Sequence, residues 1–387
     1  MQTINRCYNV NDFRELARKK LPAPLFHYID GAADDEYSKH RNTAAFERYQ
    51  LVPSILQDVT NIDMRTRVLG CDIDWPVILA PTGMSRFFHY QGETAVARAA
   101  QSSGTLYSLS TVSTTTIEDV AAATSGPKLF QLYALRDDGI NNELIERCKA
   151  ANYDALCLTV DTVVQGNRER DLRTGMTVPP ALTLKSFASF AARPQWCYRY
   201  LTSPALQMAN VAHHISEGST EVSSLGSYIN GQFDRALNWN YAEKVIARWS
   251  GPFAIKGILS VEDARKAAAM GASAIIISNH GGRQLDSVPA PIEVLPEIAD
   301  AVGGQVEIIL DGGVRRGTHV LKALALGATA CMMGRPYLYG LAAGGQVGVE
   351  RVLELLRAEI ERGMILSGRA SLADLNHSVL KRTIGKQ

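Results

Sequence analysis

The sequence lacks any surplus of charge. Its 40 Lys and Arg are matched by 39 Asp and Glu over 387 residues, a formal net charge of +1. A protein that grips a nucleic-acid backbone needs a net basic surface, so no nucleic-acid partner is expected. Cysteine is sparse. Cys7, Cys71, Cys148, Cys157, Cys197 and Cys331 include no close pair, which disfavours both a zinc knuckle and a disulfide framework. No metal site is expected, and a reducing compartment fits best. Long apolar runs are absent too. None approaches the roughly 20 residues of a membrane span, and Met1 to Arg6 carries no apolar signal-peptide core. The expected location is the cytoplasm, either dissolved or peripheral on the cytoplasmic face of the inner membrane. Nucleotide signatures are also missing: no G-x-G-x-x-G follows the first strand-like run, and Ile384-Gly385-Lys386-Gln387 lacks the upstream glycine and the hydroxyl residue of a P-loop.

What the chain does have is a repeating unit, and 46% hydrophobic residues with which to bury it. Eight short apolar runs stand out, at 76–80, 105–109, 128–132, 155–160, 253–257, 274–278, 306–310 and 329–333. Each precedes a polar or glycine-containing turn and an alanine-rich stretch compatible with a helix. One such helix opens at Ser260-Val261-Glu262-Asp263, a near capping box, and closes at Gly271. Strand-helix alternation alone fits either a doubly wound sheet or a barrel, and the polar residues at the run ends separate the two. Thr82, Ser110, Gln131 with Tyr133, Thr159 with Asp161, Lys256, Ser278 with His280, Asp311 and Arg335 follow or end the runs in order. They converge on one site only if the sheet closes. The expected fold is therefore α/β, a (β/α)8 TIM barrel with an N-terminal helical extension and a long insertion after strand 4.

We expect a single domain over 1–387, with the extension at 1–75, the barrel at 76–380 and the insertion at 172–238. The extension includes a helix-like stretch at 11–21 and the segment Phe26-His27-Tyr28-Ile29-Asp30-Gly31. Within the insertion, 172–216 contains Arg173, Lys185, Arg193 and Arg199 among several aromatics, with no Asp or Glu. That composition suits a membrane interface. A lid or a subunit contact explains it equally well.

Chemistry concentrates after the sixth run, where Ser278-Asn279-His280-Gly281-Gly282-Arg283-Gln284-Leu285-Asp286 holds a proton acceptor beside a carboxylate-binding guanidinium. A base beside an anion clamp suggests an acidic substrate. After the seventh and eighth runs, Asp311-Gly312-Gly313-Val314-Arg315-Arg316-Gly317 and Gly334-Arg335 combine open backbone with positive charge, at the end of a barrel where phosphate commonly binds. Lys256 ends the apolar run Phe253-Ala254-Ile255. It is either a charge placed against an anionic ring or a lysine that snorkels from the barrel mouth.

Together with Leu158-Thr159-Val160-Asp161-Thr162 and Gly166-Asn167-Arg168-Glu169-Arg170-Asp171, these strings resemble the FMN-dependent α-hydroxy-acid dehydrogenase and oxidase family from about residue 5 to 380. L-lactate and mandelate dehydrogenases and glycolate oxidases belong to that family. The resemblance implies that His280 takes a proton from the 2-hydroxy acid as its Cα hydrogen leaves toward the flavin, and that Asp161 holds His280. It implies that Arg283 and Arg168 bind the carboxylate, with Tyr28 and Tyr133 as hydrogen-bond donors, and that Lys256 stabilises the reduced flavin. Pro81, Thr82 and Gly83 would line the FMN, while Ser110, Gln131 and Thr159 bond its polar edge. Ser278 would join Lys256 near the ring, and Asp311 would meet the ribityl chain. Gly313, Arg315, Gly334 and Arg335 would hold the phosphate.

The implied reaction is oxidation of an (S)-2-hydroxy acid to the 2-oxo acid, first of all L-lactate to pyruvate. A quinone, a cytochrome or oxygen would reoxidise the flavin, and the chain would form a homo-oligomer, a tetramer. Position 83 is glycine where many members carry alanine, and position 112 is valine where glycolate oxidases carry tryptophan. Both leave room beside the substrate, so (S)-mandelate or another large 2-hydroxy acid is the alternative. An isomerase on an FMN-binding barrel would share the phosphate site, but has no use for two carboxylate-binding arginines.

Overall fold

The computed structural model describes residues 3–176, 183–214 and 231–383. Eight parallel strands close into a barrel: β1 (Val77–Thr82), β2 (Tyr107–Ser110), β3 (Lys128–Tyr133), β4 (Ala155–Thr159), β5 (Phe253–Ile258), β6 (Ala274–Ser278), β7 (Glu307–Asp311) and β8 (Ala330–Met333). They pair in chain order, and β8 returns to β1 through Cys331 opposite Val77. Each strand overlaps one of the eight apolar runs, with ends differing by at most two residues.

Strand periodicity sorts the side chains into two cores. Ile78 and Ala80, Ala155 and Cys157, Ala274 and Ile276 point into the barrel, while Val77 and Leu79, Leu156 and Leu158, Ile275 and Ile277 pack outward under the helices. A hairpin of Thr66–Val68 and Cys71–Ile73 closes the N-terminal end. Its Val68, Leu69, Cys71 and Ile73 join the inner core. With that end sealed and the interior packed, the polar strand ends at the opposite mouth are left to form the site.

Among the helices, α1 (Val10–Lys20) is capped by Asn9, whose side chain accepts from Asp12 N, and α2 (Ala23–Asp30) carries Tyr28. Helix α3 (Tyr37–Ala44) follows, and α4 (Gly92–Ser102), α5 (Ile117–Ala123) and α6 (Asp138–Ala150) cover the first half of the barrel. The connection from β4 to β5 holds α7 (Glu169–Thr174), α8 (Leu184–Ala191), α9 (Pro194–Thr202) and α10 (Trp239–Trp249). The parts of the expected 172–238 insertion at 177–182 and 215–230 lie outside the described residues, as does the Ile384 to Gln387 end. Beyond β5 come α11 (Val261–Ala269), α12 (Pro291–Val302), α13 (Gly317–Ala325) and α14 (Arg335–Ser367). Ser260 caps α11 by accepting from Asp263 N, as its sequence predicts. Among the described residues no helix is long and apolar enough to cross a membrane.

The N-terminal extension is locked to the barrel through Asp30. This buried carboxylate accepts from Arg14 Nε at 2.6 Å, Arg170 Nη1 at 3.1 Å and Tyr339 Oη at 2.8 Å. Burial alone would raise its pKa, but Arg14, Lys39 and Tyr339 outweigh that and hold it well below the usual carboxylate range. One acid thus ties α1, α7 and α14 to the end of α2, the helix that carries Tyr28.

Candidate active site

A cavity of about 610 Å³ opens at the C-terminal mouth of the barrel. Tyr28, Pro81, Thr82, Gly83, Gln131, Tyr133, Arg168, Lys256, His280, Arg283, Asp311, Gly313, Arg315, Gly334 and Arg335 all line it. Strand ends from around the barrel therefore do converge, which an open sheet would not permit.

His280 sits two residues beyond β6 with φ of 55°, a left-handed conformation unusual for a residue with a side chain. Gly281 continues it at φ 65°, and a Cβ there would press on Arg335 Nη1 at 2.8 Å. The turn aims the imidazole across the mouth. Its Nδ1 is 2.9 Å from Asp161 Oδ1, and its Nε2 is 3.4 Å from the Tyr133 hydroxyl. Burial pushes Asp161 up, but His280 and Lys256 more than offset it, so the carboxylate stays ionised. An ionised Asp161 makes Nδ1 the protonated nitrogen and leaves Nε2 with a lone pair. Burial raises the Tyr133 pKa, which keeps that phenol a neutral donor.

Arg168 and Arg283 place their guanidinium carbons 5.3 Å and 4.9 Å from the Tyr28 ring centre. Arg283 Nη1 donates to the carbonyls of Tyr28 and Gly31. Burial and the neighbouring Arg168 pull Arg283 down to about 10, still charged at neutral pH. The nearest acid to Arg168 is Asp171, 3.6 Å from Nε, and burial holds that carboxyl above its ordinary range. Arg168 Nε itself is buried without a hydrogen-bond partner. Two cations share one weak counter-ion, which is an anion-binding arrangement.

Lys256 does not snorkel. It is 3% exposed, and its Nζ lies 2.8 Å from both Asp311 Oδ2 and Ser278 Oγ. Burial works against its charge, but Asp311 and Asp161 raise its pKa overall, so the ammonium persists inside the barrel. At the β7 and β8 ends, Gly312, Gly313, Arg315, Gly334 and Arg335 form the cavity wall, with Gly334 as N-cap of α14. Exposed backbone, a helix N-terminus and half-buried guanidiniums together suit a phosphate. A dianionic phosphate there and a ring facing Lys256 fit FMN.

Some expected flavin contacts stand behind the wall. Ser110 Oγ donates to Gln131 Oε1 and Gln131 Nε2 donates to Thr159 Oγ1, which fixes the amide of Gln131. Ser278 bridges Lys256 and Asp311. Arg335 spends three donors on the carbonyls of Ile29, Gly281 and Gly31, leaving two of its five N–H groups for an anion. Gly83 and Val112 also differ from expectation. A Cβ at 83 would meet Val112 Cγ2 at 2.6 Å, so the space that glycine frees is partly taken up by valine.

Two participants went unrecognised in the sequence. Gln284 donates to the carbonyls of Asp161 and Val164 and accepts from Gly166 N, tying the loop of Arg168 to the loop of His280. Its place in the nine-residue string was visible, but its partners more than 100 residues away were not. The other is Asp171, described above. The insertion adds an apolar wall of Phe187, Phe190, Trp196 and Met208, joined by Phe233.

Over residues 17–382 the chain matches the family described as FMN-dependent dehydrogenase. Glycolate oxidase of Spinacia oleracea is 42% identical over 370 residues, 96% of this chain and 94% of that protein. Glycolate oxidase 1 of Zea mays is 42% identical over 367 residues, 95% of this chain and 94% of that protein. Among solved structures, one titled monotopic membrane protein (S)-mandelate dehydrogenase superposes with TM-score 0.93 at 35% identity, covering 98% of this chain and all of its own. A mandelate oxidase variant with (S)-mandelic acid superposes at 0.83 and 36% identity, with the same coverage.

Proposed function

The chain belongs to the FMN-dependent dehydrogenase family, and from that premise we propose that its preferred substrates are (S)-2-hydroxy acids with a large apolar side chain. It is an FMN-dependent 2-hydroxy-acid oxidoreductase with a TIM barrel fold. The observation that carries the finer reading is the wall itself. The cavity that holds the two guanidiniums also carries an apolar wall of Val112, Phe187, Phe190, Trp196, Met208 and Phe233. A methyl group would leave such a surface largely unfilled, whereas a phenyl or long alkyl group buries area at roughly 25 cal/mol per Å². We therefore rank (S)-mandelate above L-lactate, reversing the order the sequence suggested.

FMN, when bound, supplies the acceptor for two electrons and the Cα hydrogen. The protein's own groups prepare the substrate. Arg168 and Arg283 hold the carboxylate, and His280 Nε2 receives the hydroxyl proton. Asp161 keeps the ring oriented and balances the imidazolium, while Tyr133 donates to the reacting oxygen. Lys256 holds positive charge where negative charge collects. The test is anaerobic bleaching by L-lactate, glycolate, (S)-mandelate and 2-hydroxyoctanoate. Mandelate and hydroxyoctanoate should bleach with the highest kcat/KM. Preference for glycolate or lactate would overturn the size reading, and no bleaching by any acid would favour the isomerase.

In the same reading the electron acceptor is a membrane quinone. Helices α8 and α9 expose Leu184, Phe187, Tyr198 and Leu201 beside Lys185 and Arg199, while Phe187 and Leu201 also line the cavity. An apolar, basic surface continuous with the active-site mouth suits an anionic bilayer. The described parts of 172–216 support this; 177–182 and 215–216 lie outside the described residues. The full chain should sediment with anionic vesicles at low salt. If it stays in the supernatant there, where attraction is strongest, the segment is a lid or a subunit contact.

A further inference from the structure

Away from the active site, two adjacent histidines converge on one carboxylate. His213 Nε2 lies 2.8 Å from Glu143 Oε1, and His214 Nε2 lies 2.8 Å from Glu143 Oε2. One ligand atom from each residue can be chosen so that all lie within 4.8 Å of one another. The histidines occupy the 3-10 turn Ala212–His214, where successive side chains leave the axis about 120° apart. Local geometry would send the rings to different sides. Instead their centres are 4.1 Å apart, and both turn toward α6.

The two contacts are unequal. His213 is within hydrogen-bond geometry of Glu143, whereas His214 Nε2 is shut away from solvent and has no hydrogen-bond partner despite its closeness to Oε2. A buried donor atom with its demand unmet needs an explanation, and a cation seated among the three residues provides one. Arg147 reaches Glu143 only through Nη1, at 3.5 Å, and that nitrogen also donates to the Asn210 carbonyl at 3.1 Å, while Nε and Nη2 both donate to Glu118 at 2.8 Å. Two imidazole nitrogens and one carboxylate oxygen are the donors of a borderline-soft ion, with water completing a tetrahedron. Calcium and magnesium prefer all-oxygen sets.

We propose that Glu143, His213 and His214 form a zinc-class site for a divalent transition cation that pins the insertion to the barrel. Helix α6 belongs to the barrel, and the histidines end a described stretch of the β4 to β5 connection. Met208, which lines the active-site cavity, lies a few residues earlier. Between them Ala209 N donates to the Ser113 carbonyl, and Asn210 accepts from Ile117 N and donates to Ser113 Oγ, so this stretch already rests on the barrel there. The metal would anchor its far end to α6.

The test uses the full-length, FMN-loaded protein without an affinity tag, titrated with zinc chloride in a calorimeter. One zinc per chain should bind, and magnesium should give no heat. Glu143→Gln should weaken zinc binding by at least about 10-fold, and the His213→Ala, His214→Ala double variant should abolish it, with yellow colour and flavin reduction unchanged in both. No zinc binding to the wild type, or undiminished binding in the double variant, overturns the proposal. Cobalt(II) in the wild-type protein gives a reading independent of the variants: intense visible bands of a tetrahedral site support the proposal, and the pale spectrum of an octahedral ion overturns it.

Discussion

His280→Gln leaves the protein yellow but slows anaerobic flavin reduction by the 2-hydroxy acid at least about 100-fold. Glutamine preserves a polar side chain of similar reach. It has no basic nitrogen, so the proton that Nε2 would receive has nowhere to go. The phosphate end and Lys256 do not depend on the imidazole: Lys256 is held by Asp311 and Ser278, and Arg315 sits at the far loops after β7. FMN affinity should therefore change little. Stopped-flow absorbance measures both quantities on one sample, since the starting spectrum reports bound flavin and its decay reports reduction. Reduction within a few-fold of wild type would remove His280 from the proton transfer, and a colourless variant would mean that the His280 loop serves the flavin site instead.

How much of this was legible depends on how locally each feature is encoded. The strands were, because a buried β-strand must present β-branched or apolar side chains on both faces, and Ala274 to Ile277 can satisfy little else. Their ends were less so, because hydrogen bonding to neighbouring strands decides where pairing stops. His280 and Arg283 lie in one turn and stood out together. Asp161 shows in the sequence as one polar strand end among several, and its pairing with His280 came only with the family resemblance, since the 2.9 Å contact joins residues 119 apart. Composition could not have shown that Ser110 and Thr159 fix Gln131 from behind, because a hydroxyl at a strand end reads the same whether it faces the cavity or its neighbour. In the sequence Gly83 and Val112 each read as room. Only their 2.6 Å approach shows that one fills part of what the other opens. The Glu143, His213 and His214 cluster was invisible for the same reason, with no cysteine to announce it.

Arg283→Lys keeps the charge and still lowers kcat/KM by about 100-fold, roughly 2.7 kcal/mol of transition-state stabilisation. The reason is geometric. Arg283 uses Nη1 to hold the carbonyls of Tyr28 and Gly31 at 2.7 Å and 3.1 Å while its plane faces the Tyr28 ring. One guanidinium thus fixes the end of α2 and offers its remaining edge to the substrate. A lysine ammonium is a point charge with three donors on a flexible stem, and it cannot do both. If it follows the substrate carboxylate, the two carbonyls lose a charged donor. If it stays with the carbonyls, Arg168 faces the carboxylate alone. Either outcome raises KM, and misplacing the hydroxyl relative to His280 lowers kcat as well. A purely structural role would lower the melting temperature but leave the affinity for the 2-oxo acid product unchanged, so product inhibition is the deciding measurement. It should weaken in step with the rise in KM, and unchanged product binding would show that Arg283 does not hold the carboxylate.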